Sequence, residues 1–224
     1  GNIWQPPPGG ELGGTLQISS GYFPLKSGQT ERIAMAIMMG NDQQDAIRNK
    51  NVAQLTYEND YQFAKAPNPP KVTAVAGDGK VTLYWDRSAE DTKDKYMGNI
   101  TDGADLYDFE GYKIYRATDF EFNDAYNITD GDGNPTFLEP YVQNGVRAQW
   151  DLIDGKSGWH PVDLNGIKFY LGDETGLVHS YVDNNVVNGQ RYYYAVVSYD
   201  YGGDLTNNII PSDSPMKLRV NPLT

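Results

Sequence analysis

The sequence predicts a mainly β fold, and three observations carry the prediction. Several short segments alternate apolar and polar residues at the strand period of two. Seventeen tyrosines and many β-branched residues suit a pleated, half-buried surface. Twenty-four glycines, with frequent Asn and Asp, supply the turns such strands need. The 224 residues allow one large domain, or one domain with a smaller piece. Eighteen Lys and Arg face thirty Asp and Glu, so the formal charge is −12, which argues against nucleic acid and anionic membrane as partners. Cysteine is absent, which excludes disulfides, thiolate metal sites and thiol nucleophiles. No apolar run approaches the ~18 residues that membrane insertion requires.

The chain opens with Pro6-Pro7-Pro8, which favours an extended conformation. Thr15–Ser19 and Thr30–Met38 then alternate like strands around a turn at Lys26-Ser27-Gly28, so residues 1–41 read as a partial β unit. A connecting helix is expected over 42–66. Asp42 is its N-cap and Asp45 a weaker capping-box acid, while Ala46, Ile47, Ala53, Tyr57 and Tyr61 fall on one side. Pro67, Pro69 and Pro70 end it and mark a domain boundary. Strands follow at Lys71–Val75, Lys80–Asp86, Gly111–Arg116, Tyr181–Asp183, Arg191–Tyr199 and Pro211–Val220.

Four of these segments, in this order, carry a resemblance: Pro-Pro-x-Val-Thr-Ala from Pro69, Gly-Lys-Val-Thr-Leu-Tyr-Trp from Gly79, Phe-Glu-Gly-Tyr-Lys-Ile-Tyr-Arg from Phe109, and Asn-Gly-Gln-Arg-Tyr-Tyr-Tyr-Ala-Val from Asn188. Residues 67–221 resemble a fibronectin type III domain, an immunoglobulin-like β-sandwich. The resemblance implies that Trp85 is the core tryptophan of the second strand and Tyr192 the tyrosine-corner residue. It further implies that Tyr194 and Val196 point inward and that Ile114 meets them between the sheets. Tyr193 and Tyr199 would then face outward as a contact surface. A sandwich of this type needs only about 100 residues. The excess is an insertion over about 119–180, with a further long loop over 88–108. The insertion also resembles segments of large secreted or surface-attached bacterial proteins, which implies an extracellular or cell-surface location.

Two constellations invite a ligand. Asp130, Asp132 and Asn134 place oxygens at alternate positions, as a calcium loop does, although Pro135 and Tyr141 break the EF-hand pattern and a solvated acidic turn explains the same residues. Trp150 and Trp159 flank an acidic, glycine-rich turn. They either stack on a glycan or build a mini-core for the insertion. His160 and His179 have no partner at recognisable spacing, and no nucleophile elbow, zincin helix or phosphate loop is present. The expectation is therefore a non-enzymatic structural or adhesive module. It would link copies of itself or neighbouring domains into a surface assembly or filament, with strand addition by residues 1–20 as the route. The alternatives are a glycan-binding module and, further off, a hydrolase accessory domain.

Overall fold

The computed structural model describes residues 22, 24–31, 33–58, 63–125 and 127–217, without the side chains at 48 and 55. The chain divides into two compact units, Gly1–Lys50 and Asn51–Thr224. The strand expected at Thr15–Ser19, and with it the proposed strand addition by residues 1–20, lies outside the described residues. In the first unit, Gln29 N–H donates to the Lys26 carbonyl at 2.9 Å and closes a turn. The strand expected at Thr30–Met38 is not formed. A strand exists through backbone partners, and none of the described residues pairs with this segment.

Asp42 does cap α1 (Gln43–Glu58). Its Oδ1 accepts from Asp45 N–H at 2.8 Å, and Asp45 Oδ2 accepts in turn from Asn41 N–H at 2.9 Å. Residues 63–66, expected as the end of this helix, are not helical. The division between the two units falls within α1 rather than at 41 or 66.

In the second unit the elements run β1 (Val72–Gly77), β2 (Lys80–Trp85), α2 (Lys95–Ile100), β3 (Phe109–Ala117), β4 (Asn127–Thr129), β5 (Pro135–Leu138), β6 (Val142–Gln143), β7 (Val146–Arg147), β8 (Gln149–Asp151), β9 (Trp159–Leu164), β10 (Ile167–Tyr170), β11 (Ser180–Asp183) and β12 (Tyr193–Asp200). One antiparallel sheet has the order β1-β2-β11 and another β12-β3-β8, with three two-stranded hairpins beside them. The last expected strand is reduced to a bridge between Tyr199 and Asp213, extended by Ser214 N–H donating to the Ser198 carbonyl at 2.7 Å. Residues 218–220 lie outside the described residues.

The two three-stranded sheets share one apolar cluster. Val72, Leu83 and Trp85 from the first meet Tyr112, Ile114, Tyr194 and Val196 from the second, with Tyr192 packed at the margin. Trp85 meets Tyr112 edge-on at 5.8 Å. Asp183, wholly buried, ties the sheets together. It accepts from Arg116 on β3 at 2.9 Å and from the Tyr194 hydroxyl on β12 at 2.7 Å.

The opposite face of β3 and β12 is buried too. Tyr115, Ala117, Ala195 and Val197 cluster with Phe122, and Tyr199 clusters with Phe169 and Leu171. Tyr199 is therefore not an outward contact surface: the β9–β10 hairpin lies over it. Tyr193 likewise packs edge-on against Phe120 at 5.8 Å. Lys113 is buried here, with Nζ 3.2 Å from Asp213 and 3.6 Å from the centre of the Phe169 ring. Gly111 permits the close approach: a Cβ there would lie 2.2 Å from the Trp150 carbonyl oxygen and 2.7 Å from the Tyr199 hydroxyl.

Candidate functional site

The stretch read as an insertion gives β8 to the main sheet, and that pairing builds a cleft. Gln149, Trp150 and Asp151 pair with Lys113, Tyr112 and Gly111. This sets Trp150 on the main cluster, with its ring 5.9 Å from Trp85 and 5.5 Å from Tyr181, rather than in a separate mini-core. The β6–β7 hairpin turns at Asn144-Gly145 and forms one wall; the loop after β10 forms another. Asp151 holds that loop. Its carboxylate, fully buried, accepts from Glu174 N–H at 2.6 Å, Thr175 N–H at 2.9 Å and the Thr175 hydroxyl at 2.8 Å. Gly172, at φ 143°, is required beside it, because a Cβ would fall 2.3 Å from the Asp151 carboxyl carbon.

The resulting cleft encloses about 570 Å³, within the range of roughly 300–1,000 Å³ usual for small-molecule sites. Trp150, Tyr170 and Tyr181 supply its aromatic lining, and Gln143, Arg147 and Asp173 its polar groups. The Trp150 and Tyr181 rings are inclined at 60°. Arg147 lies 4.9 Å above the Tyr170 ring and is neutralised by Glu139 at 2.6 Å. The Tyr170 hydroxyl donates to Asp173. The Tyr181 hydroxyl is buried and has no hydrogen-bond partner, and burial pushes its pKa up, with the Asp183 charge adding to the effect. Trp159 stands outside this cleft. It is 59 % exposed and meets Tyr170 edge-on at 5.0 Å, so the two tryptophans singled out in the sequence do not form one platform.

The acidic loop is the turn of the β4–β5 hairpin. Asp130 Oδ1 accepts from Asp132 N–H at 3.0 Å and from Asn134 N–H at 2.9 Å, while Oδ2 accepts from Asn134 Nδ2 at 3.1 Å. These bonds, the Asn134 side chain foremost, hold the Asp130 carboxyl below its usual range. The Asn134 amide thus turns its nitrogen toward Asp130, and Asp132 is exposed. Among the described residues no group of three or more His, Asp or Glu side chains is placed to hold a metal ion.

The histidines separate. His160 is wholly buried and structural: its Nε2 lies 2.7 Å from the Gly203 carbonyl, and its Nδ1 accepts from Val162 N–H at 3.2 Å. Burial pulls its pKa down. His179 meets a carboxylate that spacing did not reveal, with Nε2 2.6 Å from Glu90 Oε1. The hydroxyl beside them is that of Tyr112, which donates to Glu90 at 3.2 Å. Burial and then the Glu90 charge raise the Tyr112 pKa, so it is a poor nucleophile at neutral pH.

A row of buried acids had no sequence signal. Burial raises Asp108 to about 8, helped by the Asp200 charge, and raises Glu110 to about 8, helped by Asp154. Asp200 is raised to about 7 by burial against hydrogen bonds from Ser212. Glu110 Oε1 is buried without a partner. Asp108 immediately precedes β3 and Glu110 is its second residue, where the register against β12 shifts between Tyr199 and Asp200. The chain matches no protein-family model, no curated protein and no solved structure.

Proposed function

We propose that this chain is a non-enzymatic extracellular structural or adhesive module that joins copies of itself or neighbouring domains within a surface assembly or filament. One observation carries the reading. Ile33, Met35, Ile37 and Met39 alternate along a segment with no strand partner among the described residues, and each is 72–84 % exposed. Four large apolar side chains in a row, left in water, are what an interaction surface presents. Their period of two lets the segment add to a sheet edge of another chain, where backbone pairing supplies affinity and alternate side chains supply fit.

The finer fold reading is a fibronectin type III-like sandwich with an insertion. Its supports are the antiparallel orders β1-β2-β11 and β12-β3-β8, the shared cluster around Trp85, and Val187 N–H donating to the Tyr192 hydroxyl at 3.1 Å, as a tyrosine corner does. A scaffolding role fits histidines committed to the backbone and to Glu90. Among the described residues no helix is long and apolar enough to cross a membrane. A second reading, a glycan-binding module, is favoured by the cleft at Trp150.

Light scattering across a concentration series tests the first reading on the whole chain. Self-association is expected for the parent, and the doubly charged variant Ile33→Glu with Ile37→Glu should remain monomeric with an unchanged melting temperature. A parent that stays monomeric at ~0.1 mM, or a variant that associates equally, overturns it.

A further inference from the structure

We infer that Lys113 and Asp213 are the two halves of an intramolecular amide cross-link, a covalent modification site that joins the middle of β3 to the segment after β12. The amine stands where lysine is almost never found unless paired, at 3 % exposure. Its Nζ lies 3.2 Å from Asp213 Oδ1, 3.6 Å from the centre of the Phe169 ring and 4.6 Å from that of Tyr199. Phe169 comes from the β9–β10 hairpin, which closes the amine off from water.

The carboxyl group is held toward that amine. Asp213 bridges to Tyr199, and Ser214 N–H donates to the Ser198 carbonyl at 2.7 Å, so the backbone on both sides is fixed against β12. Asp213 Oδ2 accepts from the Tyr115 hydroxyl at 2.5 Å, which leaves Oδ1 for Nζ. Tyr115 and Lys113 are two apart on β3 and so project from the same face. A hydrogen bond to the carboxyl oxygen draws electron density from Cγ, the atom an amine attacks. Burial pulls the Lys113 pKa down, against the opposing charge of Asp213, and brings the neutral amine within reach. Burial also raises Tyr115, so its hydroxyl keeps the proton it donates.

The step balances without another reagent. One proton passes from the Lys113 ammonium to the Asp213 carboxylate, and the nitrogen lone pair then attacks Cγ. The C–N bond forms, one C–O bond breaks, and that oxygen leaves as water with the transferred proton and a second from nitrogen. In solution the separate hydration of the two ions opposes condensation. A dry pair at fixed distance removes that obstacle, since well-oriented partners reach effective concentrations of about 10⁵–10⁸ M. Two other carboxylates act on Lys113 through their charge, but Glu139 is taken by Arg147 and Asp200 by Ser212. The bond closes a loop spanning 100 positions, a staple for a chain that has no cysteine.

Intact mass spectrometry of the denatured full chain tests the assignment, whatever the chain associates with. The parent should weigh one water less than its sequence. Trypsin should leave Lys113 uncut, joined to the peptide that holds Asp213. Lys113→Arg and Asp213→Ala should show their full sequence masses, and Asp213→Asn should lose ammonia in place of water. The parent's own mass is decisive, so a variant that fails to fold does not blur the result. A parent at its full sequence mass after prolonged incubation, folded, at neutral pH overturns the cross-link. So does a lost water that persists in Lys113→Arg, as dehydration at an Asp-Gly pair would give.

Discussion

Glu110 sits 1 % exposed with one carboxylate oxygen unpartnered, and Asp154, Asp151 and Glu174 add negative charge around it. Its pKa of about 8 in the fold, against 4.5 for the free group, means that the folded chain holds a proton the unfolded chain releases. Stability from this group is therefore full below about pH 4.5 and declines as pH rises through about 8. Asp108 and Asp200 act in the same direction, over 3.8 to about 8 and 3.8 to about 7. His160 works the other way. Its pKa is depressed from 6.5, so its contribution is lost as pH falls below that value. Glu110→Gln keeps the shape and removes the ionisation. Melting curves should show it more stable than the parent at pH 8.5 by roughly 1–3 kcal/mol, with the gap closing near pH 4.5. A variant less stable at pH 8.5 would mean that Glu110 is charged and partnered in the fold.

Among the elements, the β4–β5 hairpin uses the residues the sequence offers as ligands to bond its own backbone. Alternating Asp130, Asp132 and Asn134 resemble ligands on paper. In the fold, Asp130 turns inward and accepts from its own loop, and Asn165 Nδ2 approaches it at 3.4 Å. The expected outcome of differential scanning fluorimetry is a melting temperature unchanged between chelator and millimolar calcium. A calcium-dependent rise would establish a site through binding to the native state.

Legibility varied with how local the cause was. The Asp42 cap rests on neighbouring residues and is legible from them; β1 and β2 show in their alternation, and β3 and β12 in their runs of tyrosine and β-branched residues. Thr30–Met38 has the same alternation yet forms no strand, because pairing is supplied by another segment and the pattern alone cannot provide it. The short α2 was missed for a different reason. It depends on Asp94, whose carboxylate caps Met97 N–H at 2.9 Å and also accepts from Lys65 N–H, a partner 29 residues away. Of the cleft, Trp150 was visible as an aromatic beside acids. Tyr181 and Asp173 were not, since only the pairing of β8 with β3 and of β11 with β2 brings them to it. The Gly172-Asp173-Glu174-Thr175 run carried the missed signal: a glycine followed by N–H donors for a buried acid.

For the molecule as a whole, the decisive feature is that residues 119–180 are not peripheral to the sheets. They contribute β8 to the sheet and lay β9–β10 over Tyr199, so that β3 and β12 are buried on both faces along nearly their full length. Such strands read as continuous apolar runs rather than alternating ones, and Tyr-Tyr-Ala-Val-Val in β12 fits that pattern. Residues 119–180 are thus part of what buries the main sheet.

Burial of β3 and β12 between two layers also orders how the molecule opens. Their amides are released only when both coverings part, so solvent deuterium should reach Lys113–Arg116 and Tyr194–Ser198 last, on the timescale of complete unfolding. Val75 and Ala76, exposed on β1, should label early. Mass spectrometry of labelled peptides that found the two groups exchanging together would place the covering hairpin among the late, loosely held parts of the structure. Otherwise the β9–β10 hairpin folded over Tyr199 acts as a clasp that must come away before the sheet beneath it can open.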